Sequence, residues 1–273
     1  DGAPDGDAPS RPVPADAQVA TWLRTAAARA GDDALAQQLV IAAAGGAGDA
    51  GLRVAAAKRW QAVDPDNLVP RLFQGLSADA LLAAARQATD ADTHMYAGVR
   101  WMRSALAKHP PTDEEQRALT GGEPFRREEA AAMAAMAYWA GAAMPAYHDL
   151  VQACRGTALR TSPARHADCR HAADLLAEHS DSALGVQVGL AMLHELAVGG
   201  AERAAIEERR RRMDWRMQQW GRLAAQQPRD GAAQFARLLD DASVGSELQL
   251  VARVLAEGGV LPDPPAGWRP PRR

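Results

Sequence analysis

A chain of 273 residues is long enough for one large domain or two small ones, and on folding it buries roughly three quarters of its unfolded surface. Its 63 Ala stand against only 25 β-branched residues (15 Val, 2 Ile and 8 Thr), a balance that excludes a sheet-dominated fold. The formal net charge of −3 comes from 34 acids and 31 bases, 29 of them Arg, and provides no field that would gather nucleic acid or acidic membranes.

Residues 1–14 carry four Pro, three Asp and two Gly around a single large apolar residue, Val13. Such a stretch cannot repay the entropy of ordering, so residues 1–16 read as a disordered tether. The chain starts at Asp rather than Met. Tethers of this composition follow signal peptides or lipid-anchored cysteines in exported bacterial proteins, and they also link domains. Export is the stronger expectation, with a lipid anchor upstream of residue 1 as one form of it.

Apolar spacing then predicts helices over 17–30, 33–44, 51–63, 68–75, 78–89 and 93–108. The second half continues with 113–119, 125–144, 146–159, 163–179, 181–197, 201–226, 230–241 and 245–257, giving about fourteen helices and no sheet. Asp32 or Asp33, Ser77 and Ser162 stand where side-chain oxygens cap helix starts, and Ser180, Ser182 and Ser246 read the same way. Gly199 with Gly200, and Gly258 with Gly259, read as helix stops. Short connections imply antiparallel neighbours. The fold class expected is therefore all-α: stacked antiparallel helical hairpins, an irregular α-solenoid or α-bundle, in one domain over 17–259. An extended Pro/Arg-rich tail follows over 260–273. Residues 130–147 contain no charge, but they are mostly Ala and tightly bounded by charges, which predicts a buried central helix rather than a membrane span.

Residues 55–75, AAAKRWQAVDPDNLVPRLFQG, resemble the junction between tetratricopeptide repeats, where small residues on one helix precede an Asp-Pro turn and the next helix. With Pro65 set at the repeat's terminal proline, Gly75 falls on the next glycine position, while Gln37 and Arg71 occupy places where the family has a large aromatic residue. The resemblance implies a degenerate helical repeat. Trp22, Trp60, Trp101 and Trp139 recur at spacings of 38, 41 and 38, but they fall at different places within their predicted helices.

Chemistry-bearing motifs are sparse. Gly46, Gly48 and Gly51 spell GxGxxG, but a helix rather than a strand leads into them, so they read as an interhelical loop. His194-Glu195 does not extend to HExxH, and there is no GxSxG. His166 and Cys169 share a helix face and Cys154 approaches from the preceding helix, three of the four ligands a structural zinc takes. The same two cysteines support a different reading. Cys154 lies seven residues before Thr161 and Cys169 seven after Ser162, which puts them level on a hairpin turning at 161–162. The pair Cys154 and Cys169 is therefore expected to form a disulfide, and with it an oxidising compartment, periplasmic or secreted. The run Glu207-Glu208-Arg209-Arg210-Arg211-Arg212 precedes Trp215 and Trp220, yet Ile206, Met213, Met217, Trp220 and Leu223 form one stripe, so the run reads as a self-paired solvated face.

No catalytic residue, cofactor or metal ligand is assigned from these residues, and no nucleic acid is expected as partner. Helical arrays present extended faces to other proteins. The function expected is a non-enzymatic protein–protein interaction module of the bacterial cell envelope. A dedicated binder of one toxin or effector is the alternative, and an exported enzyme without a local motif the third reading.

Overall fold

The computed structural model describes residues 17–120, 126–142, 144–156, 159, 162–226 and 228–271, so the predicted tether lies outside the described residues. Within these residues thirteen α-helices follow one another: α1 (Ala17–Arg29), α2 (Ala34–Gly46), α3 (Ala50–Val63), α4 (Ala78–Ala85), α5 (Met95–Lys108), α6 (Asp113–Thr120) and α7 (Arg127–Ala142), then α8 (His148–Ala153), α9 (Pro163–His179), α10 (Ala183–Leu196), α11 (Gly200–Gln226), α12 (Pro228–Leu239) and α13 (Glu247–Glu257). Among the described residues there is no strand, only the isolated bridges Asn67–Asp90 and Ala91–Ser180.

Cap chemistry sets the starts. The side chains of Asp33, Ser77, Ser162, Ser182 and Ser246 accept from Ala36, Ala80, Arg165, Gly185 and Gln249 respectively, each meeting an otherwise orphan N–H. Three expectations shift. Residues 68–75 form only a 3-10 turn, Val69–Phe73, with Pro70 in its first turn. The helix expected over 146–159 stops at Ala153, ahead of Gly156 at φ +80°. Gly199 and Gly200 open a helix rather than close one: α10 ends at Leu196, and Glu202 accepts from the Val198 N–H at 3.0 Å where α11 begins.

Packing is that of an irregular bundle. Sequence neighbours pair in α2–α3 and α9–α10, whereas α7 packs on α5, α12, α2 and α6. One apolar cluster joins α1–α4 to α8–α11, and a second joins α5, α7, α12 and α13. The helix between them is α2, which buries Gln37, Gln38, Val40, Ile41, Ala42 and Ala44. The uncharged stretch expected in the centre is instead a wall. Helix α7 buries Ala132, Ala135 and Trp139 at i, i+3, i+7 and leaves Met133 and Tyr138 exposed. Nor are the evenly spaced tryptophans equivalent: Trp60 and Trp139 are buried, while Trp22 and Trp101 are more than half exposed.

Helices α9 and α10 approach closely at Gly189, where a Cβ would lie 2.5 Å from the Ala177 N and 2.7 Å from the Ala173 O. The described residues after α13, 258–271, form no helix or strand but are not free of the bundle. Trp268 packs edge-on against Trp215 of α11, ring centroids 5.3 Å apart. Trp215 and Arg216 donate to the Leu261 and Pro262 carbonyls, each at 3.0 Å.

Candidate functional site

Four helix junctions meet along a polar seam between the two apolar clusters. The turn after α3 is laced to the loop before α5: Leu68 N donates to Asp90 O at 2.8 Å and Thr89 N to Asp66 O at 2.9 Å. Buried Asn67 donates through Nδ2 to Asp64 Oδ2 and to Asp92 O, both at 2.8 Å, and its Oδ1 accepts from Val69 N. His94, just before α5, holds φ +52°, a conformation a non-glycine residue adopts only when its surroundings enforce it. Its imidazole lies 3.3 Å from Asp92, 3.5 Å from Asp64 and 5.2 Å from the Trp60 ring. Burial opposes the imidazolium, but the carboxylates of Asp92, Asp64 and Asp181 outweigh it and raise the His94 pKa.

Asp181 is the centre of the seam. Its carboxyl accepts from Thr93 N (2.8 Å), Thr93 Oγ1 (2.7 Å) and Met95 N (3.0 Å), so a residue from the α9–α10 loop caps α5. Burial, and then the Asp92 carboxylate, push Asp181 up to about 7. The pattern repeats one junction further on. Glu247, the first residue of α13, accepts from Ala183 N at 2.7 Å and so caps α10, while its own N–H donates to Asp181 O at 2.8 Å. Three helix N-termini thus converge: α5 and α10 are each met by an acid supplied across the bundle, while α13 is capped by its own Ser246 and tied to the Asp181 carbonyl. Both Asp181 oxygens are engaged by the chain's own donors, and the seam holds loops together.

An open cleft of about 960 Å³ lies beside it, between α7, α11, α12 and α13. Met133, Met136, Trp220, Leu223, Phe235 and Leu250 line it. At its edge Glu257 accepts from Arg237 at 2.6 Å and from Gln234 at 2.5 Å. Glu247 also reaches the cleft, linking it to the seam. The stripe read from α11 is divided in use. Ile206, Met213 and Met217 join the first cluster, and Trp220 and Leu223 pack on the second and face the cleft.

The residues singled out from sequence fall as follows. Cys154 and Cys169 stand at bonding distance with Cα atoms 5.6 Å apart, joining α9 to the end of α8. His166 is turned to Leu196 O at 3.2 Å and His171 to Ala88 O at 3.0 Å. Among the described residues no group of three or more His, Cys, Asp or Glu is placed to hold a metal ion, and no helix is long and apolar enough to cross a membrane. The glycines of the GxGxxG lie at the α2–α3 connection, Gly48 at φ +71°. In the charged run Glu208 takes both Arg211 (2.6 Å) and Arg212 (3.0 Å), while Glu207 turns to His194 (3.1 Å), because α10 runs alongside. The seam escaped sequence reasoning since Thr93 and Asp181 are 88 residues apart. Its one local signal is the polar density of Thr89-Asp90-Ala91-Asp92-Thr93-His94 between two helices. No protein-family model, no curated protein and no solved structure matches the chain.

Proposed function

We propose that the chain is a non-enzymatic interaction module of the bacterial cell envelope, and that its cleft receives an amphipathic helix from a partner protein. The cleft is the observation that carries this reading. A helix about 10–12 Å across with a pitch of 5.4 Å takes up about 850–1,200 Å³ over two turns, a range that includes the roughly 960 Å³ between α7, α11, α12 and α13. Paired methionines and aromatic rings, here Met133 and Met136 with Trp220 and Phe235, suit a surface that adapts to an apolar helix face. The polar edge formed by Arg237, Glu257 and Gln234 matches the rim of a protein interface. The cysteine pair at bonding distance is compatible with an oxidising compartment and so supports the envelope location.

Selection from a displayed library of random helical peptides on the immobilised full chain tests this. Enriched peptides should carry apolar residues at i, i+4 and i+7 and lose binding to Met133→Glu, which puts a charge into the lining at a position 43% exposed and so spares the fold. Enrichment of peptides without that pattern, or binding indifferent to Met133→Glu, would refute the proposal.

A further inference from the structure

We infer that the helix received by the cleft carries a lysine or arginine within its apolar stripe, and that this cation pairs with Glu247. The inference rests on the function proposed above and names the chemistry of the partner.

Glu247 is a half-buried carboxylate in an apolar lining. Its Oε2 accepts the Ala183 N–H at 2.7 Å, and among the described residues neither a second hydrogen bond nor an ion pair reaches the group. Burial raises its pKa, and the Ala183 N–H only partly offsets this. The arginines nearby are engaged elsewhere. Arg237 is held by Glu257 at 2.6 Å, and Arg100, stacked over Tyr96 at 5.8 Å, donates to the carbonyls of Leu239, Asp241 and Val244 at 2.5, 3.0 and 2.6 Å. The other groups on this side add no positive charge: Tyr96 is a neutral phenol, and Asp181 accepts from the Glu247 N–H through its carbonyl.

A capping role alone does not call for a charge. Ser182 already caps α10 through Gly185 N at 3.1 Å, and a neutral amide oxygen would serve the Ala183 N–H as well. The helix N-terminus compensates about half a unit of negative charge, and the remainder sits on a half-buried side chain that lines the cleft with Phe235, Leu250 and Val254, where a cation brought by a ligand would find no competing partner. A basic residue three or four positions from an apolar anchor would supply the missing cation on the same helix face.

The test uses peptides enriched on the full chain, measured by fluorescence anisotropy against wild type and Glu247→Gln. The amide introduced by Glu247→Gln keeps an oxygen for the Ala183 N–H, and an unchanged melting temperature would confirm that the fold is kept. The expected result is that enriched peptides share one Lys or Arg in the apolar stripe. Either replacing it by norleucine or making Glu247→Gln should weaken binding at least tenfold, with both together no worse than one. Peptides with the apolar pattern but no shared basic residue, bound equally by Glu247→Gln, would overturn this inference and leave the docking helix standing. Enrichment of no peptide sensitive to Met133→Glu would overturn both.

Discussion

Gly189 and Gly221 both sit inside helices, and replacing each by alanine should move stability in opposite directions. Alanine in a helix interior is favoured over glycine by about 1 kcal/mol. At Gly221, exposed on α11 with nothing within 4 Å of the new Cβ, that gain is realised in full. At Gly189 the Cβ would meet backbone, the Ala177 N at 2.5 Å and the Ala173 O at 2.7 Å, well inside a contact distance of about 3.5–4 Å. Backbone of α9 cannot swing aside as a long side chain would, so α9 and α10 must separate by about 1 Å. Overpacking costs about 1–3 kcal/mol, and with Leu176 Cβ at 2.9 Å a third contact beside the two backbone atoms, the upper part of that range applies, about 2–3 kcal/mol. Steric cost wins over propensity, leaving Gly189→Ala destabilised by about 1–2 kcal/mol. At about 2–4 °C per kcal/mol for a chain of this size, its melting temperature falls by about 2–8 °C while that of Gly221→Ala rises by about 2–4 °C. Thermal unfolding followed by far-ultraviolet circular dichroism measures both. Two shifts of the same sign would refute the close approach of α9 and α10.

Asp181 predicts a pH dependence. Its folded pKa of about 7 lies above an unfolded value of about 3.9, so the folded state holds the extra proton and stability from this group is lost as pH rises from about 4 to 7, then levels off. In denaturant melts across that range, wild type should lose ground relative to Asp181→Asn by up to about 4 kcal/mol; a difference that grows in favour of wild type with rising pH would contradict the seam's electrostatics. For Cys154 and Cys169, thiol titration after denaturation without reductant should find no free thiol, and Cys169→Ser should cost about 3 kcal/mol for a crosslink spanning 15 residues, whereas two titratable thiols would remove the support for an oxidising compartment.

What the sequence by itself determined was local. Alanine abundance and the scarcity of β-branched residues dictated helices, and Asp33, Ser77, Ser162, Ser182 and Ser246 marked their starts, because a cap acts on an N–H two or three residues away. The cysteine pair was also legible, but not the geometry behind it: α8 ends at Ala153, so Cys154 meets Cys169 from a helix end and not from a facing helix level with it. Tertiary structure decided which helix is central. Residues 130–147 have the more uniformly apolar composition, yet α2 with Gln37 and Gln38 fills the middle, because position depends on how many faces other helices cover. It also decided that Trp268 of the proline-rich tail finds Trp215, and that Thr93, Asp181 and Glu247 form one seam. A cap supplied across the bundle leaves no spacing to read, for its geometry belongs to the packing of helices and not to the order of residues along any one of them.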